Sequence, residues 1–97
     1  NMITLIATLK AKEGKMEEVI ELLKEIVPQV KKTEPGCKAY IPHTVKGKKN
    51  KNTIIFYEKY EDKEALNLHS ANLPKNFEKL FPLLEPGMDV KTCTEIL

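Results

Sequence analysis

One histidine, one glutamate and a few hydroxyl, amide and aromatic side chains carry most of the chemistry this sequence offers. His69 is the foremost candidate for a proton acceptor, because imidazole changes charge near neutral pH. Its other possible role is to cap or pack a helix. Glu58 and Tyr60 stand two residues apart in the β-branched and aromatic run Thr53 to Tyr60, so on a strand they share a face. A carboxylate in such a run needs a partner. Glu58 could orient His69 or a substrate hydroxyl, or form half of a structural pair. Asn72, just beyond His69, could bond a substrate oxygen or end a helix. Tyr40 and Tyr57 could wall a pocket or a seam between two copies. Phe77, with Leu80 and Phe81, could form an apolar lid or belong to the core. The candidates are therefore His69 and Glu58 for catalysis, and Tyr60, Asn72, Tyr40, Tyr57 and Phe77 for holding a substrate.

Other chemistries lack their residues. There is no phosphate-cradling glycine loop, no HExxH and no serine-nucleophile elbow. His43 and His69 are isolated, with no second histidine or cysteine at helical spacing, so no metal site is expected. Nothing supports flavin or nicotinamide binding, and the expected cofactor is none. Sixteen basic residues against fourteen acidic ones leave a net charge of +2, and every basic residue is lysine. Without arginine's planar fork, recognition of phosphate or guanine is disfavoured and no nucleic-acid partner is expected. Lys46, Lys48, Lys49 and Lys51 form the one basic cluster, read as a solvated hairpin tip or a contact for an anionic partner. Cys37 and Cys93 lack the paired spacing of a metal or redox motif and read as buried, unreactive thiols.

A chain of 97 residues is one domain, expected to span 1–97. A domain this small leaves much surface unburied, which makes oligomerisation a natural source of stability. Its apolar runs are only a few residues long, too short to span a membrane. Residues 1–15 read as strand and charged turn rather than a secretion signal, so the expected location is cytoplasmic.

The candidates must be positioned by elements that the periodicity outlines. Ile3, Leu5, Ala7 and Leu9 alternate in a first strand, with Met2 and Ile6 on its other face. Met16, Val19, Ile20, Leu23, Ile26, Val27 and Val30 fall at helical spacing, and Pro28 should weaken or bend the last turn. Thr33-Glu34-Pro35-Gly36 stops that helix. Cys37 to Val45 is a second strand, which Pro42 confines to an edge or a bulge. Residues 46–52 make a hairpin loop, and Thr53 to Tyr60 a third strand. Asp62 should cap a short helix running to about Ala71, with Pro74 opening a separate helical piece. Met88 to Ile96 alternates as a fourth strand, on which Cys93 and Leu97 oppose Val90 and Ile96. This order is β-α-β-β-α-β, an α+β ferredoxin-like arrangement with an antiparallel four-stranded sheet and helices on one face. Apolar residues on both faces of the third strand call for a cover on the second face, and a second copy of the sheet is the simplest one.

Glu34-Pro35-Gly36-Cys37, the strand reaching Tyr40, Phe56-Tyr57-Glu58-Lys59-Tyr60, the following Glu61-Asp62-Lys63-Glu64-Ala65-Leu66 and His69 resemble, in that order and spacing, the antibiotic biosynthesis monooxygenase (ABM) family over roughly residues 2–82. The resemblance implies a dimeric α+β barrel, a homodimer joined through the sheet face. It also implies cofactor-free oxygenation of electron-rich aromatics by dioxygen, with a histidine like His69 at the mouth of a cavity between helix and sheet. The family usually carries a glutamate and a tryptophan or other aromatic where Glu58 and Tyr60 stand. Haem-degrading relatives use a first-strand asparagine and a later tryptophan and histidine. Here Ala7 and Thr8 occupy the strand, tryptophan is absent and Lys79 falls near the histidine position, which disfavours haem.

The expected function is a cofactor-independent monooxygenase of a small electron-rich aromatic such as a quinol. Two alternatives use the same dimeric barrel. One is a non-catalytic binding or sensing module, which would bind without turnover. The other is a proton-transfer isomerase, which would form product without oxygen.

Overall fold

The computed structural model describes residues 2–97 and places four antiparallel strands in the order β2-β3-β1-β4. These are β1 (Ile3–Lys10), β2 (Cys37–Thr44), β3 (Thr53–Tyr60) and β4 (Asp89–Cys93), with helices α1 (Met16–Thr33) and α2 (Lys63–Asn76) between them. The α+β, ferredoxin-like expectation holds.

Strand alternation decides what each face carries. Ile3, Leu5, Ala7 and Leu9 of β1 lie opposite Tyr60, Glu58, Phe56 and Ile54 of β3. This inner face packs with Val19, Leu23 and Val30 of α1 and with Phe77 and Leu80 to form the core. Ile6, Ile41, Ile55 and Tyr57 share the outer face, where Ile41 remains 45% exposed. Among the described residues, no helix lies on that side and none is long and apolar enough to cross a membrane.

Local signals account for most boundaries. Asp62 caps α2, its Oδ1 accepting from the Ala65 N–H at 2.9 Å. Pro42 sits on the edge strand β2, where its missing N–H breaks no ladder, and an irregularity interrupts β2 between Cys37 and Ala39. Gly47 opens the lysine-rich hairpin turn at φ +108°, a conformation that other residues rarely adopt.

α1 runs through Pro28 to Thr33 and stops at the expected Thr33-Glu34-Pro35-Gly36 turn; Val30, fully buried beyond Pro28, anchors its last turn. Two expectations change. α2 does not stop near Ala71 but continues through Pro74 to Asn76. Pro74 removes one helical hydrogen bond, yet Leu73 and Phe77 on either side still pack inward, and the Phe77 N–H bonds the Leu73 carbonyl at 2.8 Å. The fourth strand is shorter than Met88 to Ile96. It pairs β1 only as far as Thr4–Cys93, and Ile96 and Leu97 lie beyond it, fully exposed. The reason is that β1 begins at Ile3, so later residues meet almost no partner strand. Cys93 is also only half-buried, on the outer face.

The turn after α1 docks tightly onto the start of α2. A Cβ built on Gly36 would stand 2.5 Å from the Ala65 Cβ, and the Glu61 N–H bonds the Gly36 carbonyl at 2.8 Å. Gly36→Ala should therefore cost about 1–3 kcal/mol in chemical denaturation, the usual range for overpacking. Adding Ala65→Gly should recover part of the loss. An undiminished midpoint in the single variant would mean that the turn and helix separate freely.

Candidate functional site

The docked turn sets Glu34 beneath α2. Glu34 ends α1, its N–H bonding the Val30 carbonyl at 2.9 Å, and its side chain is 1% exposed. Ala65, His69, Asn72 and Asn76 follow one another at intervals of four, three and four, which places them along one stripe of α2. Glu34 meets that stripe. Its Oε1 lies 2.8 Å from His69 Nδ1, while the Asn72 and Asn76 amides donate to Oε2 at 3.3 and 3.5 Å.

His69 is thus held from one side and presented on the other. It sits mid-helix, away from the C-terminal turn, and is 4% exposed. A carboxylate only accepts, and pairing with Glu34 therefore assigns the ring proton to Nδ1 and leaves the Nε2 lone pair free. Tyr40 and Tyr60 flank the ring, each with a centroid 5.0 Å from it.

Glu58 projects from the inner face of β3 toward the free nitrogen, its Oε1 3.8 Å from His69 Nε2. The partner that its apolar surroundings demand is Tyr60, whose hydroxyl donates to Oε1 at 2.5 Å. Burial holds the Glu58 carboxyl above the ordinary carboxylate range, and the Glu34 charge adds to this. The Tyr60 hydrogen bond and a charge on His69 pull the other way. Burial and the Glu58 charge also raise the Tyr40 and Tyr60 phenols. The Cys37 thiol is pushed up to about 11, chiefly by burial and then by Glu34 and Glu58, so it stays protonated and unreactive.

A cavity of about 130 Å³ opens beside these groups. Leu5, Ala7, Leu9, Phe56, Leu73, Phe77, Met88 and Val90 give it apolar walls, while Tyr40, Glu58, His69 and Ser70 supply its polar lining. Ala7 faces Phe56 across the strand pair, and its small side chain leaves room there. A larger groove of about 370 Å³ runs between α1 and β2, but its polar side chains Lys24, His43 and Thr44 are exposed. It lies away from the buried proton-carrying groups, and the smaller cavity is the candidate site.

Of the sequence-selected residues, the structure gathers His69, Glu58, Tyr60, Tyr40 and Phe77. Phe77 is core and cavity wall at once, whereas Phe81 is 39% exposed and only touches its edge. Tyr57 does not join them: odd-even alternation puts it on the outer face of β3, against Ile6 and Ile41. Asn72 turns from the cavity to Glu34, so it braces the site and does not line it. Of the roles open to Glu58, orienting His69 falls to Glu34, which bonds the ring, and the pair that Glu58 forms is with Tyr60. Glu34 and Asn76 escaped the sequence reading. The available signal was polar residues at 69, 72 and 76, a stripe that needs a buried acceptor if it faces inward.

A family model described as antibiotic biosynthesis monooxygenase matches residues 2–74. Among solved structures, one from Caulobacter crescentus CB15, described as a candidate antibiotic biosynthesis monooxygenase, is 22% identical, with a TM-score of 0.84 over 99% of this chain and 91% of that one. A second so described, from Bacteroides thetaiotaomicron VPI-5482, is 21% identical, with a TM-score of 0.82 over 100% and 91%. A Shewanella oneidensis protein is 26% identical, with a TM-score of 0.77 over 95% and 88%. No curated protein matches the chain.

The raised Glu58 carboxyl has a consequence for stability. The folded protein keeps this proton where the unfolded chain has released it, so stability falls as pH rises from the ordinary carboxylate value of about 4 through the raised folded value. Glu58→Gln removes that dependence and keeps an acceptor for Tyr60. Its denaturation midpoint should gain on wild type above that window, and the gain should vanish near pH 4. A difference independent of pH would refute this assignment.

Proposed function

The chain belongs to the antibiotic biosynthesis monooxygenase family, and from that premise we propose that it is a cofactor-independent monooxygenase of a small electron-rich aromatic such as a quinol. One observation carries the proposal: His69 is tied through Nδ1 to a buried carboxylate while Nε2 faces an apolar cavity.

A phenolic ring held between those walls gives its hydroxyl proton to Nε2, and Glu34 stabilises the imidazolium that forms. The phenolate passes one electron to dioxygen, giving a phenoxyl radical and superoxide. These combine at a ring carbon that bears hydrogen, and the imidazolium proton completes the hydroperoxide. Loss of that carbon's hydrogen with cleavage of the O–O bond releases water and leaves a quinone. One oxygen atom enters the ring and the other leaves as water, so the substrate supplies the electrons. The protein contributes a base, low polarity and hydrogen bonds to the developing anion. His69 and Glu58 serve as catalytic residues, Tyr40 and Phe77 as binding walls, and Glu34 and Tyr60 as positioning residues, Tyr60 through its hydrogen bond to Glu58.

A second reading rests on the 3.8 Å between His69 Nε2 and Glu58, two proton carriers beside one cavity. An isomerase would move a proton between substrate atoms there and need no oxygen. Oxygen uptake by metal-free protein over a hydroquinone panel separates the two. Uptake above autoxidation should fall on the order of 10²–10⁴-fold in His69→Ala. In Glu34→Gln it should fall with the fold intact, because the ring loses its charged anchor. Full activity in His69→Ala would remove His69 as the base.

The assembly we propose is a homodimer through the outer sheet face, supported by Ile6, Ile41, Ile55 and Tyr57 sharing that face, Ile41 exposed and the others half-buried. Sedimentation should give a dimer for wild type and a monomer for Ile6→Glu/Ile55→Glu. A dimer surviving in that variant would require another interface.

A further inference from the structure

We infer that the cavity selects a single ring bearing two oxygens on adjacent carbons, a 1,2-dihydroxyarene, over rings whose oxygens stand opposite each other. The inference rests on the proposed reading in taking the ligand as a phenol and His69 as its acceptor. Size gives the first constraint. The cavity of about 130 Å³ is near the roughly 150 Å³ of an apolar cavity that accepts one benzene ring, and it has little room for a second fused ring.

The distribution of polar atoms gives the second constraint. His69 Nε2 and Glu58 Oε1 stand 3.8 Å apart, close enough for two neighbouring ring oxygens to meet one group each. The Tyr60 hydroxyl occupies Oε1, which leaves Glu58 Oε2 for a ligand among the described residues. Tyr40, which also lines the cavity, is the cross-strand neighbour of Glu58 and packs on His69, so it belongs to the same polar end; away from that end the walls are carbon: Leu5, Ala7, Phe56, Leu73 and Phe77. Ser70, the remaining aliphatic hydroxyl of the lining, is exposed. A para oxygen would stand across the ring from Glu58, among those walls, and lose its hydrogen bonds to water without replacement. An ortho oxygen keeps a partner. Glu58 therefore sets regiochemical preference, apart from the proton acceptance assigned to His69.

Titration calorimetry under argon with catechol, 1,4-hydroquinone and phenol tests this in wild-type protein. Catechol should bind about tenfold more tightly than either of the others, the weight of about one hydrogen bond. In Glu58→Leu/Tyr60→Phe, which removes both partners of the buried hydrogen bond and strands neither, the catechol-to-phenol ratio should fall to about one. Equal binding of catechol and 1,4-hydroquinone overturns the inference, as does phenol binding as tightly as catechol, since one oxygen would then bridge both groups. A preference that survives the double variant, or no binding of catechol, also overturns it. Because oxygen is excluded, the outcome is separate from that of the oxygenase proposal. Selective catechol binding without later oxygen uptake defeats only the oxygenase, whereas uptake with 1,4-hydroquinone bound as tightly as catechol defeats only the ortho preference.

Discussion

The buried contact between Glu34 and His69 constrains the rest of the molecule. A carboxylate that is 1% exposed has lost its water, and leaving such a group unpaired costs about 3–5 kcal/mol, a large share of the total stability of a small domain. The surrounding structure compensates along several lines at once. The turn following α1 fits against Ala65 only because position 36 has no side chain. Two asparagine amides reach the second oxygen of Glu34, and the Cys37 N–H bonding the Glu34 carbonyl at 2.9 Å fixes the backbone beneath it. The end of one helix and the middle of another are thereby joined at a single polar point inside an otherwise apolar layer.

That joint gives two similar carboxylates different work. Glu34 is surrounded by donors and belongs to the scaffold, although it also fixes the imidazole. Glu58 receives one hydroxyl and faces the cavity, and its carboxyl is held high by burial. Environment rather than residue type separates an orienting group from one available to a ligand. The two tyrosines beside His69 extend the same arrangement, since each packs against the ring and restricts its rotation.

The sheet divides these functions by parity. Even-numbered residues of β3 face the helices and include the cavity residues Phe56 and Glu58, while Ile55 and Tyr57, at odd positions, lie on the outer surface proposed to meet a second copy. A one-residue change of register would exchange the two sets. Site and proposed interface are therefore specified by the same strand pairing.

Much of the fold could be read directly because its determinants are local. Alternation in Ile3–Leu9, the helical spacing from Met16 to Val30, the Asp62 cap and the edge placement of Pro42 each depend on a few neighbouring residues. The sequence by itself also singled out His69 and Glu58, which the fold brings to one cavity, and the sharing of one strand face by Glu58 and Tyr60. Only the tertiary structure decided that Glu34 is buried. A glutamate before Pro-Gly reads as a solvated turn until the turn is seen to dock under α2. Asn72 was assigned by residue type, but helical phase turned it to Glu34, whereas Tyr57, which alternation already set on the other face from Tyr60, stays there. The continuation of α2 through Pro74 was likewise hidden, because packing of Leu73 and Phe77 outweighs one lost backbone bond. Periodicity travels along the chain and can be read there, whereas burial of a polar group depends on what a distant segment brings to it.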